Sequence, residues 1–152
     1  MFYQITNGMK IFILNIQQLL FLAGLAQIAL VIGGLAIPTI LNWKQELAKT
    51  RPLIKQMFWT YAAYVVVINL CFGLVSALDY KELTNGTTLS ALATGFIAVY
   101  WISRVLIQFF YFDRSDFPKG KWNAFGEMVL VTLFVFLSVV YSLAFYSNYK
   151  QV

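Results

Sequence analysis

Arg104 is the residue in this chain whose type and placement most directly imply chemistry. It lies inside an apolar run over residues 89–112, about eight residues from the end of that run, which is about 12 Å at helical rise. A guanidinium at the centre of a bilayer costs about 2.5–3.5 kcal/mol on insertion scales, and less at this depth, so it requires a partner or a wet cavity. Helical spacing sets Thr94, Trp101, Arg104, Gln108 and Tyr111 along one side of the run. Two readings are open. In the first, Arg104 with Trp101 and Gln108 forms an anion, carboxylate or lipid-headgroup site built around the guanidinium. In the second, Arg104 is a strut between helices, bonded to backbone carbonyls or to Glu127 at the start of the next helix.

Two further polar positions lie within apolar runs. Asn69 falls on a stripe with Ala62, Gly73 and Ser76, and Gln27 on one with Gln17, Gly24 and Gly34. In lipid, small residues let helices approach closely and amides bond across the contact, so helix packing is the expected role of both stripes. A polar pore lining is the alternative. Ala91 and Gly95 add a third small-residue pair of the packing kind.

Absences exclude more chemistry than these residues offer. The chain has no histidine and one cysteine. Bis-histidine haem ligation, thiolate metal clusters and an imidazole base are therefore excluded, and no cofactor or metal is expected. Cys71 lies in an apolar run, where a free thiol is expected to be a small packing residue. No catalytic residue is assigned: Asp113 and Asp116 flank Arg114 in a run expected to be a solvated loop and cap.

Four helices are needed to position these groups. Of 152 residues, 61% are hydrophobic and 11% charged, against roughly a quarter charged in soluble domains. A hydrocarbon core of about 30 Å takes roughly 20 helical residues to cross. Runs at 19–41 (extended through 11–18), 57–78, 89–112 and 128–146 meet that length. Backbone groups in lipid must be satisfied within the segment, so the runs are helices. The expected fold is an all-α membrane protein: one four-transmembrane-helix bundle over 1–152, with helices at about 11–41, 53–78, 89–112 and 125–146. The first run is too long for the apolar core of a cleaved signal peptide and is expected to be a retained helix.

The loops set the expected orientation. Loop one (42–56) carries Lys44, Lys49, Arg51 and Lys55, and loop three (113–127) carries Arg114, Lys119 and Lys121. Only Lys10, Lys81 and Lys150 lie on the opposite side. The bias of basic residues toward the cytoplasm puts loops one and three inside and both termini on the non-cytoplasmic side. Trp43, Trp59 and Trp122 fall at the inner interface and Tyr80, Tyr146 and Tyr149 at the outer. Asn42 looks like a helix cap, Pro52 a helix start, and Asn85-Gly86 the turn of loop two. Asn85-Gly86-Thr87 also fits a glycosylation sequon, and in so short a loop it reads as turn chemistry. The four basic residues of loop one beside two tryptophans are expected to contact anionic lipids at about 1 kcal/mol each. The net charge of +5 is divided between loops, which argues against nucleic-acid binding.

Trp43, Glu46-Leu47, Pro52-Leu53-Ile54 and Gln56-Met57-Phe58-Trp59, then Trp101, Arg104, Gln108-Phe109 and Phe112-Asp113, resemble small bacterial four-helix membrane proteins that have no assigned activity. The resemblance covers residues 42–113 and implies a fold and a place in the bacterial inner membrane. Small multidrug-resistance exporters differ in needing a carboxylate within helix one, where this chain has none. The expected function is that of a non-catalytic accessory or assembly subunit, or of a stand-alone membrane protein. Its partners would be membrane lipids and either other membrane subunits or further copies of itself. An oligomeric transporter or channel module with an anion or headgroup site at Arg104 is the alternative.

Overall fold

The computed structural model describes the backbone of residues 2–112 and 121–152, and the side chains of 13–112 and 124–152. Loop-three residues 113–120, among them Arg114, Asp116 and Lys119, lie outside the described residues, as do the side chains of Lys10, Lys121 and Trp122. Among the described residues the chain is all helical, with four helices long and apolar enough to cross a membrane.

The first helix, α1 (Phe2–Gly34), stops four residues before Pro38. A proline ring clashes with the carbonyl four residues earlier, and here that carbonyl belongs to Gly34. Single-turn bonds at Leu35 and Ala36 lead into α2 (Ile37–Ile40). The expected helix 11–41 is thus two helices with a break, and the first begins nine residues earlier than expected. Asn42 then adopts a left-handed conformation (φ 49°), which asparagine tolerates better than most residues, and redirects the chain into α3 (Trp43–Glu46). Its side chain makes no capping bond. A 3-10 turn at Leu47–Lys49 follows, and Pro52 opens α4 (Pro52–Leu78), where a missing N–H costs nothing.

Loop two is folded into the bundle. Its 3-10 turn, Glu82–Thr84, buries Leu83 and Thr84. Gly86 takes φ +72°, and a Cβ there would stand 2.8 Å from the Gln151 side chain. The Thr87 hydroxyl oxygen accepts from the Ser90 N–H at 3.2 Å and caps α5 (Thr88–Phe110). The last helix, α6 (Lys121–Tyr149), starts several residues before the expected 125.

α1 packs against α4 and α5 against α6, and contact between α1 and α6 joins the two pairs. α4 reaches α5 through aromatic rings, with Phe72 centred 6.0 Å from Phe96 and 5.4 Å from Tyr100. The α1–α4 contact is close because glycine faces glycine: a Cβ on Gly24 would lie 2.5 Å from the Ala77 nitrogen and 2.8 Å from the Gly73 carbonyl oxygen. Between apolar helices in lipid there is no hydrophobic drive to associate, so close van der Waals approach of this kind carries the contact.

Packing is uneven along the bundle. On α4 the buried residues are Asn69, Phe72, Gly73 and Ser76, all in the half nearer loop two. On α5 none is buried beyond Trp101, and on the described part of α6 none before Phe134. Burial on these three helices is therefore concentrated toward loop two, while on α1 it extends to Val31 near the loop-one end. Gly24→Val should lower unfolding stability in detergent by about 3 kcal/mol, because the added carbons meet backbone and not a movable side chain. Gly33→Ala, at a site with open space around it, should stay within about 0.5 kcal/mol of the parent. Thermal or denaturant melts of both variants check this, and equal effects would contradict the proposed crossing.

Candidate polar site within the bundle

α6 carries Phe134, Tyr141 and Asn148 at seven-residue intervals, two turns apart on one face turned to the core. Tyr141 is fully buried, and its hydroxyl is the meeting point of three helices. Gln27 of α1 donates to it through Nε2, and the Ser76 hydroxyl of α4 stands 2.5 Å away. Nearer loop two, Asn148 donates to the Leu83 carbonyl at 2.8 Å and accepts from the Gly86 N–H at 3.1 Å. Gln17 donates to the Thr84 hydroxyl at 3.0 Å. These bonds fasten loop two to α1 and α6 as a plug.

Of the stripes read from the sequence, most of the named positions face a neighbouring helix, whereas Gly34 has open space around it. Gly24 and Gly73 make the crossing, Gln27 and Ser76 reach Tyr141, and Gln17 reaches the plug. Asn69 is buried, and its amide donates to the Val65 carbonyl of its own helix at 2.9 Å. Gly95 sits against Phe145 of α6, again a packing role. Cys71 differs from the expectation: it is exposed on the outer face of α4, because the interior face there belongs to Asn69, Phe72 and Gly73.

At Arg104 the site lacks the expected tie to Glu127. The guanidinium carbon stands 5.4 Å over the Phe134 ring, a cation–π contact worth about 0.5–2 kcal/mol. Phe134 also meets the ring of Trp101 at 5.5 Å. Helical side chains lean toward the N-terminus of their own helix, so Arg104 rises along α5 toward Trp101 and not down toward loop three. Glu127 is seven residues from Phe134 along α6, about 10 Å below the level that the guanidinium reaches. No ion pair or hydrogen bond of Arg104 is found among the described residues. The Trp101 indole nitrogen, fully buried, also lacks an acceptor, and the Tyr100 hydroxyl beside it has no partner. Oδ1 of Asn69 and Oε1 of Gln27 are likewise buried without a donor.

The structure thus brings Trp101, Arg104 and Phe134 together, sets Gln27 and Asn69 along the neighbouring α1–α4 seam, and leaves Gln108 half-buried one turn below Arg104. Tyr111, at the end of the stripe, is 81% exposed. Sequence reasoning missed Tyr141 and Asn148, although their seven-residue spacing in an apolar run was an available signal. Among the described residues no three His, Cys, Asp or Glu side chains gather to hold a metal ion.

The chain matches no family model. Neither a curated protein nor a solved structure matches it. Fold and site therefore define its class directly: an all-helical protein whose four long helices can each cross a membrane, with one guanidinium between two of them.

Tyr141→Phe should destabilise the bundle by about 1–2 kcal/mol, since it removes the group shared by Gln27 and Ser76 and leaves both unsatisfied. Adding Ser76→Ala to that variant should cost little more, because the two changes remove the same bond. Detergent melts of the single and double variants check this, and strictly additive losses would contradict a shared network.

Proposed function

We propose that this chain is a non-catalytic integral membrane protein that serves as an accessory or assembly subunit. In this reading Arg104 pairs with a carboxylate on a helix of another membrane protein. One observation carries it: a guanidinium within an apolar helix has no anion of its own chain among the described residues, only the Phe134 ring. A lone charge at that depth is costly, and an anion from outside the chain lowers the cost. Carboxylate suits a guanidinium because the planar fork binds it through two parallel bonds.

A second reading, an oligomeric transporter or channel module with an anion or headgroup site at Arg104, draws support from the packing. Loop two buries Leu83 and Thr84 at one end, while α5 has no buried residue beyond Trp101 toward the other, where Arg104 sits. In both readings loops one and three face the cytoplasm, both termini face away from it, and the membrane is the bacterial inner membrane. The distribution of basic residues, seven against three, supports that orientation.

Purification in mild detergent followed by mass spectrometry separates the readings. The accessory role gives a stoichiometric second membrane protein, which Arg104→Gln releases while the melting temperature of the chain itself stays level or rises. Adding Glu127→Gln should restore nothing. A homo-oligomer that conducts ions in liposomes supports the transporter, and a partner retained by Arg104→Gln contradicts the pairing. Orientation is checked by single cysteines in a Cys71→Ala background. Those in loop one should resist a membrane-impermeant thiol reagent in intact cells and those near the termini should react. Labelling of loop one from outside would overturn the orientation.

A further inference from the structure

Each end of the bundle carries a groove, and the two differ in their lining. At loop two, Glu82, Asn85 and Thr87 bond to one another, and Thr84 and Asn148 bond across to α1, α5 and loop two itself. A groove of about 550 Å³ also opens at that end, between α1 and loop two, with Leu14, Phe21 and Leu22 among its lining beside Gln17, Gln18 and Lys81. At loop one, a groove of about 390 Å³ opens between α2, α3 and α4, lined by Pro38, Thr39, Asn42, Lys44, Gln45 and Trp59. None of its four polar side chains, Thr39, Asn42, Lys44 and Gln45, makes a hydrogen bond or ion pair among the described residues.

The walls of this groove are fixed. The left-handed Asn42 and the Pro38 turn set the direction of α3. Trp43 packs edge-on against Phe58 at 4.8 Å and against Trp59 at 6.0 Å, which holds α3 onto α4. Loop one also carries Lys49, Arg51 and Lys55, countered there by Glu46 alone. Ile40 of α2 and Leu53 and Ile54 of α4 are exposed.

We infer that this groove is a binding site for the phosphate of an anionic phospholipid in the leaflet that loop one faces. Lys44 supplies the charge in the groove, and the side chains of Thr39, Asn42 and Gln45 supply hydrogen-bond donors around it. Indole rings lie at headgroup depth, where Trp43 and Trp59 bracket the segment. Charge complementarity selects the occupant: Lys44 in the groove, three further basic residues in the same loop and exposed aliphatic residues on α2 and α4 match an acidic headgroup joined to acyl chains. An acidic protein segment would match the charges but leave the aliphatic residues unused. The site is independent of Arg104, which lies deeper and between other helices.

The test uses the full chain in nanodiscs that hold phosphatidylglycerol and phosphatidylcholine in equal amounts, with retained lipid read by native mass spectrometry. The parent protein should retain phosphatidylglycerol over phosphatidylcholine. Lys44→Gln, a change at an exposed residue, should reduce that preference by about fivefold, the factor that corresponds to one headgroup charge contact. Lys49→Gln should reduce it less, and Lys81→Gln, at the opposite end, should leave it unchanged. Arg104→Gln should also leave it unchanged, which separates failure here from failure of the pairing at Arg104. Equal retention of the two lipids overturns the site. So do equal losses for Lys44→Gln and Lys49→Gln, which would mean diffuse attraction without a groove, and loss of preference in Arg104→Gln.

Discussion

A polar group in hydrocarbon has no water to turn to, and the organisation of this bundle follows from where that need is met. Tyr141 meets it for three helices at once. Its hydroxyl takes Gln27 from α1 and Ser76 from α4, and so ties the α1–α4 pair to α6. Interhelical hydrogen bonds in membranes are worth only about 0.6 kcal/mol on average. Their effect here is to choose a register more than to supply stability: a shift of one residue along α6 would carry Tyr141 off the seam and bury three polar groups unpaired.

The tie at Tyr141 depends on close backbone approach nearby. Gly24 and Gly73 let α1 and α4 approach until a methyl group would no longer fit, and this brings Gln27 and Ser76 within reach of one hydroxyl. Toward loop two the same principle continues through Asn148 and Gln17, and the loop is drawn into the bundle as a plug. Toward loop one it stops. Among the described residues no glycine crossing like that of Gly24 and Gly73 is found there, α4 has no buried residue before Asn69, and α5 has none beyond Trp101. Arg104 lies where the packed half ends.

Much of this was legible in the sequence. Span lengths, the start at Pro52, the Asn85-Gly86 turn and the two glycine-amide stripes follow from local rules that lipid enforces strictly, because each helix must satisfy its own backbone. Less was legible where an outcome depends on relative height. Whether Arg104 meets Glu127 is decided by the offset of α6 against α5 and by the lean of the side chain, and neither is written in helical periodicity. The break at Leu35 and Ala36 was readable from Pro38 in principle, but hydropathy runs on unbroken through it. The seven-residue spacing of Tyr141 and Asn148 marked a shared face, but not which helices the Tyr141 hydroxyl would join. The burial of Leu83 was hidden because a short loop near neutral charge reads as solvent-exposed.

The central claim is that the counter-charge of Arg104 comes from another molecule. Solid-state NMR on native membranes, with ¹⁵N-labelled arginine and ¹³C-carboxyl-labelled aspartate and glutamate, reads that contact directly. The expected result is a guanidinium–carboxylate contact within about 4 Å that disappears in Arg104→Gln and persists in Glu127→Gln. A contact that disappears in Glu127→Gln, or no carboxylate contact at Arg104 at all, would contradict the claim.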